Sequence, residues 1–277
     1  MEPTTPKSGA RGAKIESVRQ LGKRIDFGKT VSDYGRFRAG FPEEFFERIA
    51  AMGIARSGMR ALDLGTGTGT IARGLAQRGL IVTGLDKSDV MTQEARRLDA
   101  EANVSVEYLT AAAEASGLPD ASFELVTAGQ CWHWFDRPRT ATEVRRLLTP
   151  GGRLVIAHFD WIAIPGNVVE ATENLIRAYN AEWNMWGGTG MYPQWMRDMG
   201  LPGFGGLESF TFDIDAVYSH EAWRGRIRAS AGVGASNMSP ERIAQFDDEL
   251  KRTLAEKWPD DPLKAHHRVF AAIGIAP

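Results

Sequence analysis

The sequence predicts an α/β fold, an open and doubly wound sheet of mostly parallel strands. Three observations predict it. Between Met59 and His158 short apolar runs alternate with amphipathic stretches. A glycine run, Gly65-Thr66-Gly67-Thr68-Gly69, leaves the first apolar run. An acid, Asp86, ends the second, 21 residues beyond Gly65. Strands that alternate with helices pair in parallel, since each crossover must travel back along the sheet. Such sheets take their ligands at the carboxyl ends of the strands, where the strand order reverses.

Taken in order, Ala61-Leu62-Asp63-Leu64 is the first strand. Thr70 to Arg78 carries Ile71, Ala72, Leu75 and Ala76 at helical spacing, with Gly79 placed to end the helix. Leu80 to Leu85 is the second strand. Ser88 stands where a helix cap belongs, ahead of Met91, Ala95 and Leu98 on one face. Val104, Val106 and Tyr108 alternate as a third strand, and Phe123 to Ala128 is apolar enough to be buried on both sides. Pro138 to Leu148 reads as a helix, and Pro150-Gly151-Gly152 as a turn into a fifth strand, Arg153 to Ala157. Beyond Asp160 the pattern loosens. A helix is expected over Asn167 to Trp183, loop over Trp183 to Gly206, and a strand over Leu207 to Ile214. Helices over Glu221 to Ala231 and Pro240 to Trp258 and a last strand near Arg268 to Ile273 complete the chain. The domain reading follows: a tail without fixed structure over 1–22, a ligand-binding core over 23–160, a cap over 161–206, and a segment completing the sheet over 207–277.

Composition narrows the function. Lys plus Arg is 33 against 35 for Asp plus Glu, a net charge of −2 that argues against a nucleic-acid partner. The single cysteine, Cys131, excludes an internal disulfide and any multi-cysteine metal site, and reads as packing. Every apolar run is interrupted well short of the ~18 residues of a membrane span. Met1 to Gly12 is rich in Pro, Thr, Ser and Gly and lacks the apolar heart of a targeting peptide. A cytoplasmic protein with no membrane partner is expected, with monomer and homodimer both open.

The glycine run carries the chemistry. Glycines leaving a first strand permit positive φ and let a ligand reach the backbone, and the next helix offers unsatisfied amides and its positive dipole end. Asp86 has the spacing of a carboxylate that accepts bonds from both hydroxyls of a ribose. An adenosine-containing ligand is the reading. Against a nicotinamide dinucleotide stand Thr70, where that fingerprint has Gly or Ala, and the acid Asp63 two positions before Gly65.

Asp63-x-Gly65-x-Gly67-x-Gly69 resembles the first motif of the class I S-adenosylmethionine-dependent methyltransferases. Gly84-Leu85-Asp86-Lys87-Ser88 is similar to their second motif. Ala113-Glu114 with Leu118 to Val126 resembles their adenine-side loop and fourth strand, and Leu147 to Leu154 the entry to their fifth. The resemblance implies a seven-stranded, mostly parallel sheet with an antiparallel last strand and a helical, aromatic cap. It implies S-adenosyl-L-methionine as cofactor and S-adenosyl-L-homocysteine as product. The implied binding residues are Asp63, Gly65, Thr66, Gly67, Asp86, Lys87, Ala113, Glu114 and Gln130. Tyr34 and Arg38 join them from an N-terminal segment that folds over the donor's methionine end, with Arg36 second to Arg38. The chain departs at Ala112, where many members carry an Asp for the adenine amino group.

Gln130-Cys131-Trp132-His133-Trp134-Phe135 is similar to the His-Trp-Phe segment of a small-molecule, type 11-like branch that includes trans-aconitate methyltransferases. His133 reads in two ways, as general base for an acceptor hydroxyl or as a brace of its loop. A carboxylate acceptor needs no base. His158 and Asp160 are further candidates of the same kind. Arg224 and Arg228 share one helical face, either solvated or receiving an anionic acceptor. Relatives that use a metal place a carboxylate at the end of the fourth strand. Here Ala128-Gly129-Gln130 stands there, so no metal is expected. The expected activity is methylation of a small organic molecule, on oxygen. The alternatives are an RNA or protein methyltransferase, an NAD-dependent oxidoreductase, and a non-catalytic cofactor-binding protein.

Overall fold

The computed structural model describes residues 26, 30–37 and 40–277. The expected tail over 1–22 and Arg38 lie outside them. The strands are β1 (Arg60–Leu64), β2 (Ile81–Asp86), β3 (Glu107–Thr110), β4 (Phe123–Gly129), β5 (Leu148–Trp161), β6 (Gly205–Tyr218) and β7 (Leu263–Ile275). They form one sheet in the order β3-β2-β1-β4-β5-β7-β6. β1 to β5 pair in parallel, and β7 runs antiparallel to both its neighbours. This is the expected fold class. The order turns back between β1 and β4, so a crevice opens where their carboxyl ends part.

Helices α1 (Val31–Phe37), α2 (Glu43–Ala51), α3 (Thr70–Gln77), α4 (Asp89–Glu101) and α5 (Arg137–Leu147) precede β5. α6 (Val168–Tyr179), α7 (Gln194–Gly200), α8 (His220–Arg228) and α9 (Pro240–Lys257) follow it. Phe45, Phe46 and Ile49 of α2 and Ile71, Ala72 and Leu75 of α3 pack on one face of the sheet. Ala141, Val144 and Leu147 of α5 and Trp195 and Met199 of α7 pack on the other. Because α3 and α5 leave β1 and β4 toward opposite faces, neither covers the crevice. Among the described residues, no helix is long and apolar enough to cross a membrane.

Several boundaries differ from expectation, among them β3, which starts at Glu107, and β7, which starts at Leu263. β5 does not end at Ala157 but runs on to Trp161, with Pro150-Gly151-Gly152 absorbed into it at a register shift against β4. Its long antiparallel partner sustains the ladder as far as Trp161 opposite His267. β6 is likewise longer, because it alternates: Phe210, Phe212, Ile214 and Ala216 lean on the core while Thr211, Asp213 and Asp215 face out. The expected loop over 183–206 contains α7, a short helix framed by Pro193 and Gly200 whose Trp195 and Met199 are buried. α6 stops at Tyr179, capped at its start by the Asn167 side chain accepting from the Glu170 amide at 2.8 Å. Ser88 occupies its cap position but its hydroxyl does not cap; Asp86 accepts the Ser88 amide instead, at 2.9 Å.

At the carboxyl end of β5 a third core joins Val169 and Ile176 of α6, Trp223 and Ile227 of α8, and Phe246 and Leu250 of α9. Helices from 168–179 and from 220–257 thus share one apolar cluster there. α1 wedges between α4 and α8, where Gly35 and Gly225 leave no room for a Cβ against Glu94 and Phe37 respectively. Arg224 and Arg228 are neither solvated nor open to an anion. Arg228 donates to Asp33 at 2.9 Å and to Asp247 at 3.0 Å, and Arg224 reaches Asp247 at 3.1 Å and Glu221 at 3.1 Å. One carboxylate thus holds two guanidinium groups that would otherwise repel. Asp247→Ala is expected to cost about 1–3 kcal/mol, less than a fully buried pair. In a chain of this size that is a fall of about 2–5 °C in Tm. An unchanged Tm by calorimetry would remove the network from the account.

Candidate active site

The carboxyl edge collects the expected residues from five strands. β1 delivers Asp63 and then the turn. Gly65, Gly67 and Gly69 all adopt positive φ, +59°, +55° and +78°, where a side chain is strained. Their reasons differ. A Cβ on Gly65 would lie 2.8 Å from Cys131 Cβ and 2.9 Å from Phe135 Cζ. The glycine is there to admit the loop after β4, which the Cys131 thiol pins by donating to the Leu64 carbonyl at 3.1 Å. A Cβ on Gly67 would meet only Met91 Cε, at 3.4 Å. Gly67 is the glycine that leaves the turn's backbone open.

Asp63 is 2 % exposed and sits beneath this turn, accepting from the hydroxyls of Thr66 and Thr127, each at 2.7 Å. It shapes the turn rather than facing the crevice. Burial lifts its carboxyl from the ordinary 3.8 to about 6, against the lowering effect of those hydroxyls and the Ala72 amide. The folded protein thus keeps this proton to about pH 6, whereas the unfolded chain releases it near 3.8. Stability linked to Asp63 is full below about pH 4, declines as pH rises to about 6, and stays lower above that. The decline amounts to roughly 3 kcal/mol. Asp63→Asn is expected to abolish it. Urea unfolding at pH 4, 5, 6 and 7 provides the check, and the same decline in the variant would refute the assignment.

Asp86 ends β2 beside the turn. Its Oδ2 accepts the Gly67 amide at 2.9 Å and its Oδ1 the Ser88 amide at 2.9 Å. A carboxylate offers about four acceptor positions, so one on each oxygen is left. Two acceptors held by backbone at the mouth of a glycine turn fit the neighbouring hydroxyls of a ribose. Lys87 follows, exposed. From the segment after β3, Ala113 is buried, and Glu114 accepts the Asp136 amide at 2.8 Å. Glu114 therefore ties this segment to the start of α5. Ala112 is exposed and offers no polar side chain.

Gln130, just past β4, has a φ of +59°, donates its amide to Ala157 at 2.8 Å and its side-chain Nε2 to the Phe159 carbonyl at 2.6 Å. It locks the end of β4 to β5. Trp132–Trp134 is a short 3₁₀ turn, with Trp132 fully buried and donating to Asp198 at 3.0 Å. His133 is half-buried, its ring 4.3 Å from Trp134 and 5.1 Å from His158. Tyr34 lies on α1. Sequence reasoning missed Tyr192 and Trp195, which stack on each other at 4.2 Å and flank His158 at 4.6 and 4.9 Å. Their aromatic character was the available signal, lost in a stretch read as loop. Among the described residues, no group of three His, Cys, Asp or Glu is disposed to hold a metal ion.

Residues 62–156 match the family profile of the methyltransferase domain, the stretch from β1 into β5 that builds this edge. This chain carries a class I S-adenosylmethionine-dependent methyltransferase domain. An uncharacterized methyltransferase of Mycobacterium tuberculosis is 36% identical over 130 residues, 47% of this chain and 50% of that protein. The chain thus spans about half the length of its mycobacterial relatives. The 27-O-demethylrifamycin SV methyltransferase of Amycolatopsis mediterranei is 28% identical over 213 residues, 76% of each chain. A solved chain from Anaeromyxobacter dehalogenans, assigned as a type II methyltransferase, shares the fold with a TM-score of 0.62 at 24% identity, covering 87% of this chain and 97% of that one. S-adenosyl-L-methionine is the cofactor of the methyltransferase domain. The open backbone at Gly67 and the two acceptor positions of Asp86 fit it.

Proposed function

We propose that the protein methylates a small organic acceptor on oxygen, by in-line displacement and without a metal. The observation that carries this reading is Asp86, held by two backbone amides with an acceptor position left on each oxygen, at the mouth of the glycine turn. Bound there, S-adenosyl-L-methionine supplies a methyl group on a positively charged sulfur, so the protein's task is to position and to exclude water. Asp86 binds the ribose hydroxyls, with Lys87 beside it. Gly65, Thr66 and Gly67 form the turn on which the amino-acid end rests, and Asp63 keeps its shape from below. Ala113 lines the adenine, and Glu114 and Gln130 hold the two flanking loops in place. Tyr34 and Arg38 close the methionine end, the arginine fork suiting its carboxylate.

The acceptor enters under the third core, over the carboxyl ends of β4 and β5. In this reading residues 23–160 are the binding core, 161–206 the cover, and 207–277 the completion of the sheet. Oxygen as the receiving atom is supported by the rifamycin relative, whose name specifies an O-methylation. The absence of a carboxylate in Ala128-Gly129-Gln130 supports transfer without a metal. A net charge of −2 supports a small molecule over a nucleic acid. His133, wedged between Trp134 and His158, is assigned the bracing role.

Thermal-shift measurements test the cofactor half of the proposal. S-adenosylhomocysteine at 100 times its Kd is expected to stabilise the protein by about 2.7 kcal/mol, while NAD and NADP leave the Tm unchanged. The opposite ranking would favour the oxidoreductase alternative.

A further inference from the structure

One polar group at this edge has no part in the proposal above. His158 is 4 % exposed, and both oxygens of Asp160 lie 3.1 Å from its Nδ1. The two residues stand at i and i+2 on β5 and so share a face of the strand. Tyr192 donates its hydroxyl to the same carboxylate at 2.5 Å. With Nδ1–H given to Asp160, the neutral ring keeps its lone pair on Nε2, which is buried without a hydrogen-bond partner. A buried polar atom with nothing to bond is costly, and a catalytic role is one of the reasons a fold keeps one.

The surroundings are charged and aromatic in a definite way. Burial would raise the Asp160 carboxyl, but the hydrogen bonds from His158 and the Tyr192 hydroxyl favour its ionised form. Across on β7, Arg268 stands opposite Asp160 with its guanidinium committed to Asp213, while His267 lies on the other face of the sheet against Phe159, where burial lowers it to about 4. His133 faces from the turn after β4. What lies around the His158 ring are other rings, those of His133, Tyr192 and Trp195. His133 and Tyr192, which cover the ring, are themselves only half-buried, so one layer of side chains separates Nε2 from the surface of this edge. From His133 the same turn leads back through Cys131 to its contact with Gly65.

We infer that His158, oriented by Asp160 and Tyr192, is the general base of this site, and that the acceptor is a planar hydroxyl compound, a phenol or an enol. The inference rests on the methyltransferase reading above. A bare lone pair recognises a group that brings a proton. A phenol or enol does so, and a carboxylate at neutral pH does not. A phenol or enol, more acidic than an aliphatic alcohol, yields its proton to imidazole more readily. Flat acceptors also suit the half-buried rings of Trp134 and Tyr192. In the step, the acceptor O–H breaks and its proton passes to His158 Nε2, giving an imidazolium paired with Asp160. The oxygen pair forms the new O–CH3 bond as the methyl–sulfur bond breaks, its electrons staying on sulfur. Solvent then takes the proton from His158.

The test combines binding and turnover. Nitrogen NMR of the wild-type protein with S-adenosylhomocysteine is expected to show His158 protonated at Nδ1 and bare at Nε2. Titrated phenol should move the Nε2 resonance, and benzoate should leave it in place. With trideuteromethyl donor, product mass spectrometry is expected to find label on phenols and enols and none on carboxylic acids. His158→Gln should lower that turnover about 100-fold or more while S-adenosylhomocysteine affinity stays within about twofold. Asp160→Asn should shift the His158 proton toward Nε2. A proton on Nε2 in the wild type, a response to benzoate but not phenol, or undiminished turnover in folded His158→Gln would each overturn the inference. If His158→Gln fails to fold, or if neither acceptor panel is labelled, the wild-type titration decides by itself. Loss of S-adenosylhomocysteine binding by the wild type would instead sink the methyltransferase reading, a separate failure.

Discussion

Gly65→Val is expected to abolish measurable S-adenosylhomocysteine binding and to lower the Tm, the largest effect of any single change at this edge. Valine is β-branched and cannot adopt φ near +59° without strain. Its Cβ would also enter space held by Cys131 and Phe135, within 2.9 Å of atoms of both. The loop after β4 must then withdraw, breaking the Cys131–Leu64 contact and misplacing the turn that holds the cofactor. A loss of about 100-fold or more in affinity is expected by calorimetry, with several degrees in Tm. Gly67→Ala is the informative companion. Its added methyl meets only Met91 at 3.4 Å, so backbone strain of about 1 kcal/mol is the whole cost. Equal losses in the two variants would show that crowding at Gly65 is not the cause.

Asp86→Ala is the second large effect. It removes the acceptor for both ribose hydroxyls and orphans the Gly67 and Ser88 amides together. Hydrogen bonds to a charged group contribute about 1.5–3 kcal/mol, so affinity is expected to fall about 10- to 150-fold. Asp86→Asn should fall between, since one of its two terminal groups no longer accepts. Titration calorimetry of the three proteins with S-adenosylhomocysteine gives the comparison. Unchanged affinity in Asp86→Ala would take Asp86 out of the binding site.

Where the chain's signals are local, the sequence displays them. Asp63, the glycine turn and Asp86 lie within two dozen residues, and short-range backbone demands make their spacing readable. The helix over Thr70–Gln77 ended at its glycine as its apolar spacing indicated. Signals that depend on distant partners stayed hidden. Nothing near Arg228 announces Asp33, 195 positions away, or that Asp247 would hold two arginines at once. β5 continued past Ala157 because β7 paired with it, while His158 and Asp160 look too polar for a strand. Even so, their i, i+2 spacing is the mark of a shared strand face, and Tyr192 completed the set only through tertiary folding. Asp63 and Glu114 were read as touching the cofactor. The structure adds that Asp63 accepts the Thr66 and Thr127 hydroxyls and Glu114 the Asp136 amide, partners a motif cannot reveal.

The most direct measurement is a crystal structure of the protein grown with S-adenosylhomocysteine. The expected result is a ribose whose two hydroxyls lie within hydrogen-bond distance of the Asp86 carboxylate, with the sulfur side of the molecule running over Gly67 toward the turn after β4. Density for the ligand away from Asp86, or a ribose held by other residues, would contradict it.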